Sequence, residues 1–330
     1  MTDQGKIDRE GARPASLFER ADAAFGLGPA NAANTLPPVP PVPASLRRTP
    51  APAPQPVAPA PQVVAAPAAA PASTPAPVAA PEAPRAVAFS GPCVSIDRDH
   101  LRDGGLLVPE DPVTGLLEEF RIVKRELLAD ARASHSALAR RILVCSPHAG
   151  EGKTYCATNL AIALAGERDL EVLLVDADVV RPSVTERFGI DAEQGLMDAL
   201  ADPAIRPESL VIATDIDGLF VLPAGTASSR DSEYLASART GAVLDRLTQC
   251  APNRILIFDT PPALAASPAA ELAQHVGQAL LVVRADETSR AALEDAQHLL
   301  SACADIKLLL NATRYNTSGR RFGTYGTRGK

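Results

Sequence analysis

The chain has 330 residues, a formal net charge of −7, 31 prolines, few aromatic side chains and no tryptophan. Its length allows one or two domains, the prolines and uneven charge favour one compact domain beside unpacked segments, and the lack of a basic excess excludes nucleic acid as a general partner. Cys93, Cys145, Cys156, Cys250 and Cys303 form no C-x-x-C pair and show no metal-ligand spacing, which fits a reducing cytosol.

No apolar signal segment follows Met1, and no run approaches the roughly 18 apolar residues of a membrane span. The expected location is therefore the cytoplasm, with any membrane role depending on recruitment by another chain.

In chain order, residues 1–28 carry a short amphipathic helix at 15–26, with Leu17, Phe18, Ala21 and Phe25 on one face and Ser16 as N-cap. So short a helix is marginal alone: it docks on its own domain, docks on a partner, or frays. Residues 29–87 are a Pro/Ala tract with almost no charge and few large apolar side chains. Such a tract cannot bury a core and reads as a disordered, partly polyproline-II spacer, with a Pro-motif ligand as the alternative.

Residues 88–140 hold a connector and then a helix over 116–128, where apolar residues recur at helical spacing. Its polar face carries Glu118, Arg121, Lys124 and Arg125, which by spacing alone reads as a solvated face with i,i+3 and i,i+4 ion pairs.

From residue 141 to 311 short apolar runs alternate with helical patterns. The runs predict strands at 142–145, 172–175, 219–222, 255–258, 279–283 and 307–310, and helices at 153–165, 232–248, 268–276 and 289–302. Strands apolar on both faces that alternate with helices imply an α/β fold with a doubly wound, mainly parallel sheet. Ligands of such sheets sit at the carboxyl ends of the strands.

Three motifs stand at those ends. Ser146-Pro147-His148-Ala149-Gly150-Glu151-Gly152-Lys153-Thr154 follows the first strand and opens a helix, the setting of a phosphate loop. Backbone N–H groups over Gly150 to Thr154, within a binding stretch from Ala149 to Tyr155, would cradle ATP phosphates. Lys153 would reach their outer oxygens and Thr154 would coordinate Mg²⁺. Lysine occurs otherwise only at positions 6, 124, 307 and 330 in a chain that prefers arginine, and a phosphate loop needs its compact point charge. The usual first glycine of the loop falls at Pro147.

The second motif, Asp176-Ala177-Asp178-Val179-Val180-Arg181-Pro182, follows an apolar strand. Two acids so close repel unless a cation neutralises them, which implies a shared Mg²⁺; a capped loop after a buried strand is the alternative. The third, Asp259-Thr260-Pro261-Pro262, places an acid where a Walker B carboxylate would act on Mg²⁺ or its waters. Asn311 ends the last strand, where its amide reads an adenine edge or serves as turn chemistry. Residues 312–330 contain arginine, glycine and threonine but no acid, together with Tyr315 and Tyr325, two of the four tyrosines. This segment reads as a basic, disordered tail, either a substrate or a solubilising or acid-binding extension.

Together the loop ending Gly150-Glu151-Gly152-Lys153-Thr154, the stretch from Asp176 to Pro182 and the Asp259-Thr260-Pro261-Pro262 motif resemble the bacterial tyrosine kinases of exopolysaccharide export. Phe188-Gly189, Gly195 to Leu200 and Leu222 to Gly225 look like the branch found at PEP-CTERM/exosortase loci. The resemblance covers about residues 115–315. It implies a MinD/ParA-like P-loop fold in which Lys153 and Thr154 bind Mg-ATP, Asp178 and Asp259 manage the metal, and Asp176 is the base for a tyrosine hydroxyl. Arg181 matches the family's arginine after the second aspartate, and Asn311 its base-contacting asparagine. Glu118, Arg121 and Lys124 resemble its self-association motif, with lysine in place of the last arginine. His148 stands where positioning ATPases of the MinD/ParA group carry a signature lysine; by itself it is loop polarity.

The resemblance implies an autokinase that transfers phosphate to Tyr315 and Tyr325 of a neighbouring copy, with a membrane chain-length or co-polymerase protein as activator. An ATP-switched scaffold without kinase activity is the second expectation. An adaptor with a vestigial site is the third, and the intact Lys153, Thr154, Asp176, Asp178 and Asp259 argue against it.

Overall fold

Each apolar run of the second half of the chain becomes a strand because neighbouring strands satisfy its backbone while helices cover both of its faces. The computed structural model describes residues 86–134 and 136–313. The expected helix at 15–26, the Pro/Ala tract through residue 85, and the tail from residue 314 with Tyr315 and Tyr325 lie outside the described residues.

One sheet contains β1 (Cys93–Val94), β2 (Arg141–Cys145), β3 (Glu171–Asp176), β4 (Ile212–Thr214), β5 (Leu219–Leu222), β6 (Arg254–Asp259), β7 (Gln278–Arg284) and β8 (Ile306–Asn311). Their spatial order is β1-β4-β5-β3-β6-β2-β7-β8. All neighbours pair in parallel except β4 and β5, which are antiparallel. This is the doubly wound, mainly parallel sheet expected, with each anticipated strand found to within one residue at either end. The strands not anticipated, β1 and β4, are too short for a periodic pattern to register.

The helices are α1 (Arg98–Asp103), α2 (Gly115–Ala133), α3 (Lys153–Ala165), α4 (Val184–Phe188), α5 (Leu196–Ala201), α6 (Asp231–Leu235), α7 (Ala238–Thr248), α8 (Pro268–Ala273) and α9 (Arg290–Leu299). Ile142, Val144, Leu174 and Ile257 face one core with Phe120 of α2 and Leu160 of α3. Leu143, Leu173, Leu256 and Phe258 face the other with Leu244 of α7 and Leu272 of α8. The expected helix at 232–248 is two helices, because Ser237 is extended (φ −76°, ψ 155°) and its hydroxyl donates to the Tyr234 carbonyl at 2.6 Å. A serine that satisfies backbone groups locally competes with helix propagation.

Two further expectations change. Residues 88–140 do not stand apart from a domain beginning at 141: β1 joins the sheet through β4, and Leu101, Leu106, Leu107, Phe120 and Leu127 lie in the same core as β2 and β3. Nor does Lys124 lie on a solvated face. It is 7 % exposed, donates to the Ala163 carbonyl at 2.7 Å and pairs with Glu167 at 2.8 Å. It thereby satisfies a carbonyl at the C-terminus of α3, where a cation also meets the negative end of the helix dipole. Glu118 and Arg121 pair with each other one turn earlier on α2.

Candidate functional site

The loop leaving β2 lies between those leaving β6 and β7, its two neighbours in the sheet. Because β3 and β7 lie on opposite sides of β2, this is a place where successive connections diverge, the crevice in which open α/β sheets bind ligands.

Residues 146–152 turn from β2 into α3. Gly150 (φ 85°) and Gly152 (φ 97°) occupy the left-handed region that side chains disfavour, and a Cβ on Gly152 would come within 2.2 Å of Asn311 Nδ2. Position 147 is not among the left-handed residues, so proline is tolerated where a phosphate loop usually begins with glycine. The first N–H groups of α3 have no partner within the helix and face the turn, and with the helix dipole they form an anion site.

Lys153, at the first position of α3, extends its ammonium to Asp178 at 2.7 Å. Thr154 is buried, and the Ser183 hydroxyl donates to its oxygen at 3.3 Å. Asp259, at the end of β6, is fully buried and neither of its carboxyl oxygens has a hydrogen-bond partner. Burial pushes its pKa up to about 7, against the pull of the Lys153 charge. A bare carboxylate beside a hydroxyl and a second aspartate is a donor set that fits a divalent cation.

Among the described residues no three His, Cys, Asp or Glu side chains cluster as a metal cage. Thr154, Asp178 and Asp259 would hold Mg²⁺, which would supply charge neutralisation to bound phosphates. Lys153 and the α3 N–H groups would bind the phosphates themselves.

Several expected residues sit elsewhere or are otherwise engaged. Asp176 is fully buried, with Oδ1 accepting from the Asp178 N–H at 3.1 Å and Oδ2 from the Ser183 and Val184 N–H groups at 3.0 Å each. Burial pushes its pKa up to about 6 despite those bonds. These three bonds make Asp176 an anchor for the loop into α4. The Tyr155 hydroxyl points away from the loop and donates to the Gly105 carbonyl at 3.0 Å, so only its backbone remains near the phosphates. Arg181 is exposed at the rim, its N–H donating to Asp178 Oδ1 at 3.1 Å. Asn311 does reach the loop, where one Nδ2 proton goes to the Glu151 carbonyl at 2.8 Å, which leaves its other N–H and its amide oxygen for a base edge. His148 is exposed, and its N–H donates to the Glu151 carboxylate at 2.8 Å.

Sequence reasoning missed Ser183, Arg284 and Thr288. The Thr288 hydroxyl donates to Glu151 Oε1, and Arg284 Nη1 donates to the Gly150 carbonyl at 3.1 Å. The only local signal was the Thr288-Ser289 pair ahead of a helix, which reads as capping and reveals no contact with a distant loop.

Residues 137–313 match the ParA family model, described as NUBPL iron-transfer P-loop NTPase. EpsB of Ralstonia solanacearum, named as a candidate tyrosine-protein kinase, is 31% identical over 226 residues, 66% of this chain and 28% of EpsB. Tyrosine-protein kinase YwqD of Bacillus subtilis is 28% identical over 213 residues, 64% of this chain and 86% of YwqD. The chain thus spans little more than a quarter of EpsB but most of YwqD. The kinase domain of Escherichia coli tyrosine kinase ETK shares the fold, with a TM-score of 0.55 at 23% identity, covering 70% of this chain and 93% of that domain.

Proposed function

We propose, for a chain that belongs to the ParA family of P-loop NTPases, that it is an ATP-dependent protein-tyrosine autokinase of exopolysaccharide export, phosphorylating Tyr315 and Tyr325 of a neighbouring copy. The observation that carries this reading is the meeting of Lys153, Thr154, Asp178 and the partnerless Asp259 at one end of the sheet. That constellation supports Mg-ATP as cofactor, and the relatives named as tyrosine-protein kinases supply the reaction class.

Transfer of a phosphoryl group requires little covalent chemistry from the protein, so positioning and charge stabilisation carry it. Lys153 and the N–H groups of α3 orient the phosphates; Asp178 and Asp259 hold the charge balance around them. Asp176 supports the geometry from behind. The chain continues from β8, whose last residue, Asn311, touches the phosphate loop, and Tyr315 follows within the next few positions of the sequence.

On this reading the protein works as a homo-oligomer at the cytoplasmic face of the inner membrane, recruited by a chain-length or co-polymerase protein. Among the described residues no helix is long and apolar enough to cross a membrane. A second reading, an ATP-switched scaffold without kinase activity, is favoured by one observation: the tail holds only two tyrosines.

Intact-mass analysis after incubation of the full chain with Mg-ATP separates the two. The kinase reading expects phosphate-sized increments in the wild type, fewer in Tyr315→Phe or Tyr325→Phe, and none in Lys153→Met. ATP turnover without any increment gives the scaffold reading, and ATP turnover in Lys153→Met sinks the assigned site.

A further inference from the structure

Glu151 is an unusual residue to find inside an anion cradle. Its side chain is 5 % exposed and lies between the two left-handed glycines, where a carboxylate turned inward would repel a bound triphosphate. In the structure both of its oxygens are engaged by donors. Oε2 accepts from the His148 N–H at 2.8 Å, and Oε1 accepts from the Thr288 hydroxyl.

Thr288 belongs to the loop between β7 and α9, and its orientation is determined. A hydroxyl has one proton to donate. Because Thr288 Oγ1 accepts from the Arg284 N–H at 2.8 Å, that proton goes to Glu151. The same loop and β8 also hold the neighbouring carbonyls: Arg284 Nη1 takes the Gly150 oxygen at 3.1 Å and Asn311 Nδ2 the Glu151 oxygen at 2.8 Å. The His148 N–H is taken by Glu151, and tying these acceptors leaves the N–H groups that follow it in the turn for an anion, which is what a phosphate-binding nest requires.

We propose that Thr288 is a positioning residue for the phosphate loop: its hydroxyl holds the Glu151 carboxylate out of the phosphate cradle and so sets nucleotide affinity. The inference rests on the nucleotide site assigned above, but not on phosphate transfer. It assigns the β7–α9 loop a role that its own sequence does not reveal.

The test is calorimetric titration of the full chain with Mg-ADP. Thr288→Val, which keeps the shape and removes the proton, is expected to weaken binding about tenfold, equivalent to about 1.4 kcal/mol. Thr288→Ser restores the affinity. In a Glu151→Ala background, where no carboxylate needs holding, Thr288→Val has no further effect; a merely structural role would give the same loss in both backgrounds. Thr288→Ala, which adds no bulk, is the second variant should valine disturb folding, and thermal unfolding of each nucleotide-free protein checks that it folds. Wild-type affinity in Thr288→Val and Thr288→Ala, or an equal loss with and without Glu151, overturns the proposal. A wild-type chain that binds no Mg-ADP overturns the nucleotide site and the proposal with it.

Discussion

Replacing Asp259 with asparagine tests the electrostatics of the site without any turnover assay. The Asp259 carboxyl is fully buried without a partner, and burial pushes it from its usual 3.8 to about 7. A carboxyl whose folded-state pKa lies above the unfolded one binds more protons when folded. Stability therefore falls as pH rises from about 4 to about 7 and levels off above that. A gap of about three pH units, at about 1.4 kcal/mol each, amounts to about 4 kcal/mol. Asparagine does not titrate. The stability of Asp259→Asn relative to wild type should thus improve by about 4 kcal/mol between pH 4 and pH 8, less where water enters the site. Asp176, pushed up to about 6, titrates in both proteins and largely cancels from the difference. Urea unfolding followed by far-ultraviolet circular dichroism suits a chain without tryptophan, and the comparison is made without nucleotide. Mg-ADP should then stabilise the wild type and leave the variant almost unchanged. A stability of the variant relative to wild type that stays constant across this pH range, or that worsens as pH rises, would refute the reasoning.

Gly152→Ala should cost about 1–3 kcal/mol in denaturant unfolding, because its left-handed backbone disfavours a side chain and the added Cβ meets Asn311 Nδ2. Adding Asn311→Ala removes the clash but not the backbone strain, so only part of the loss returns; full recovery would show that the backbone conformation is not limiting. Lys124→Ala should cost about 1–3 kcal/mol, mainly because it leaves the buried Ala163 carbonyl without its donor, while the ion pair with the partly exposed Glu167 adds little. On a solvated face the same change would cost less than about 0.5 kcal/mol, so thermal or denaturant unfolding decides between the two positions.

The parts of this molecule legible in the sequence are those with local causes. A buried parallel strand must be apolar on both faces, which made the strands leading into Ser146, Asp176 and Asp259 visible, and the first polar residue after each run marks the end at which ligands bind. Lys124 was misjudged because helical spacing gives an angle around the axis but not the width of the covered stripe, and α3 covers more of α2 than the apolar residues suggest. The spacing of Asp176 from Asp178 reveals two acids at a strand end but not that the Asp176 oxygens cap the turn into α4. Glu151 and Thr288 are 137 positions apart, and no periodicity connects them; only the placement of β7 beside β2 does.

Charge satisfaction singles out the site independently of any motif. The described buried charges elsewhere have partners: Arg141 with Asp245, Arg254 with Glu171, Glu208 with Arg246, Lys124 with Glu167. Within the site Asp178 has Lys153, and Glu151 and Asp176 have N–H and hydroxyl donors. Asp259 alone among these buried charged groups has none. A fold that satisfies every other buried charge yet retains this one gives up stability at a single point, and such exceptions concentrate where a ligand supplies the missing interaction. The charges of Asp176 and Asp178 both act on Asp259, and Lys153 is committed to Asp178. A bound phosphate would draw Lys153 away and leave the acids more exposed to one another. The site is therefore balanced only when anion and cation arrive together, which is the charge pattern of a magnesium nucleotide and not of either component alone.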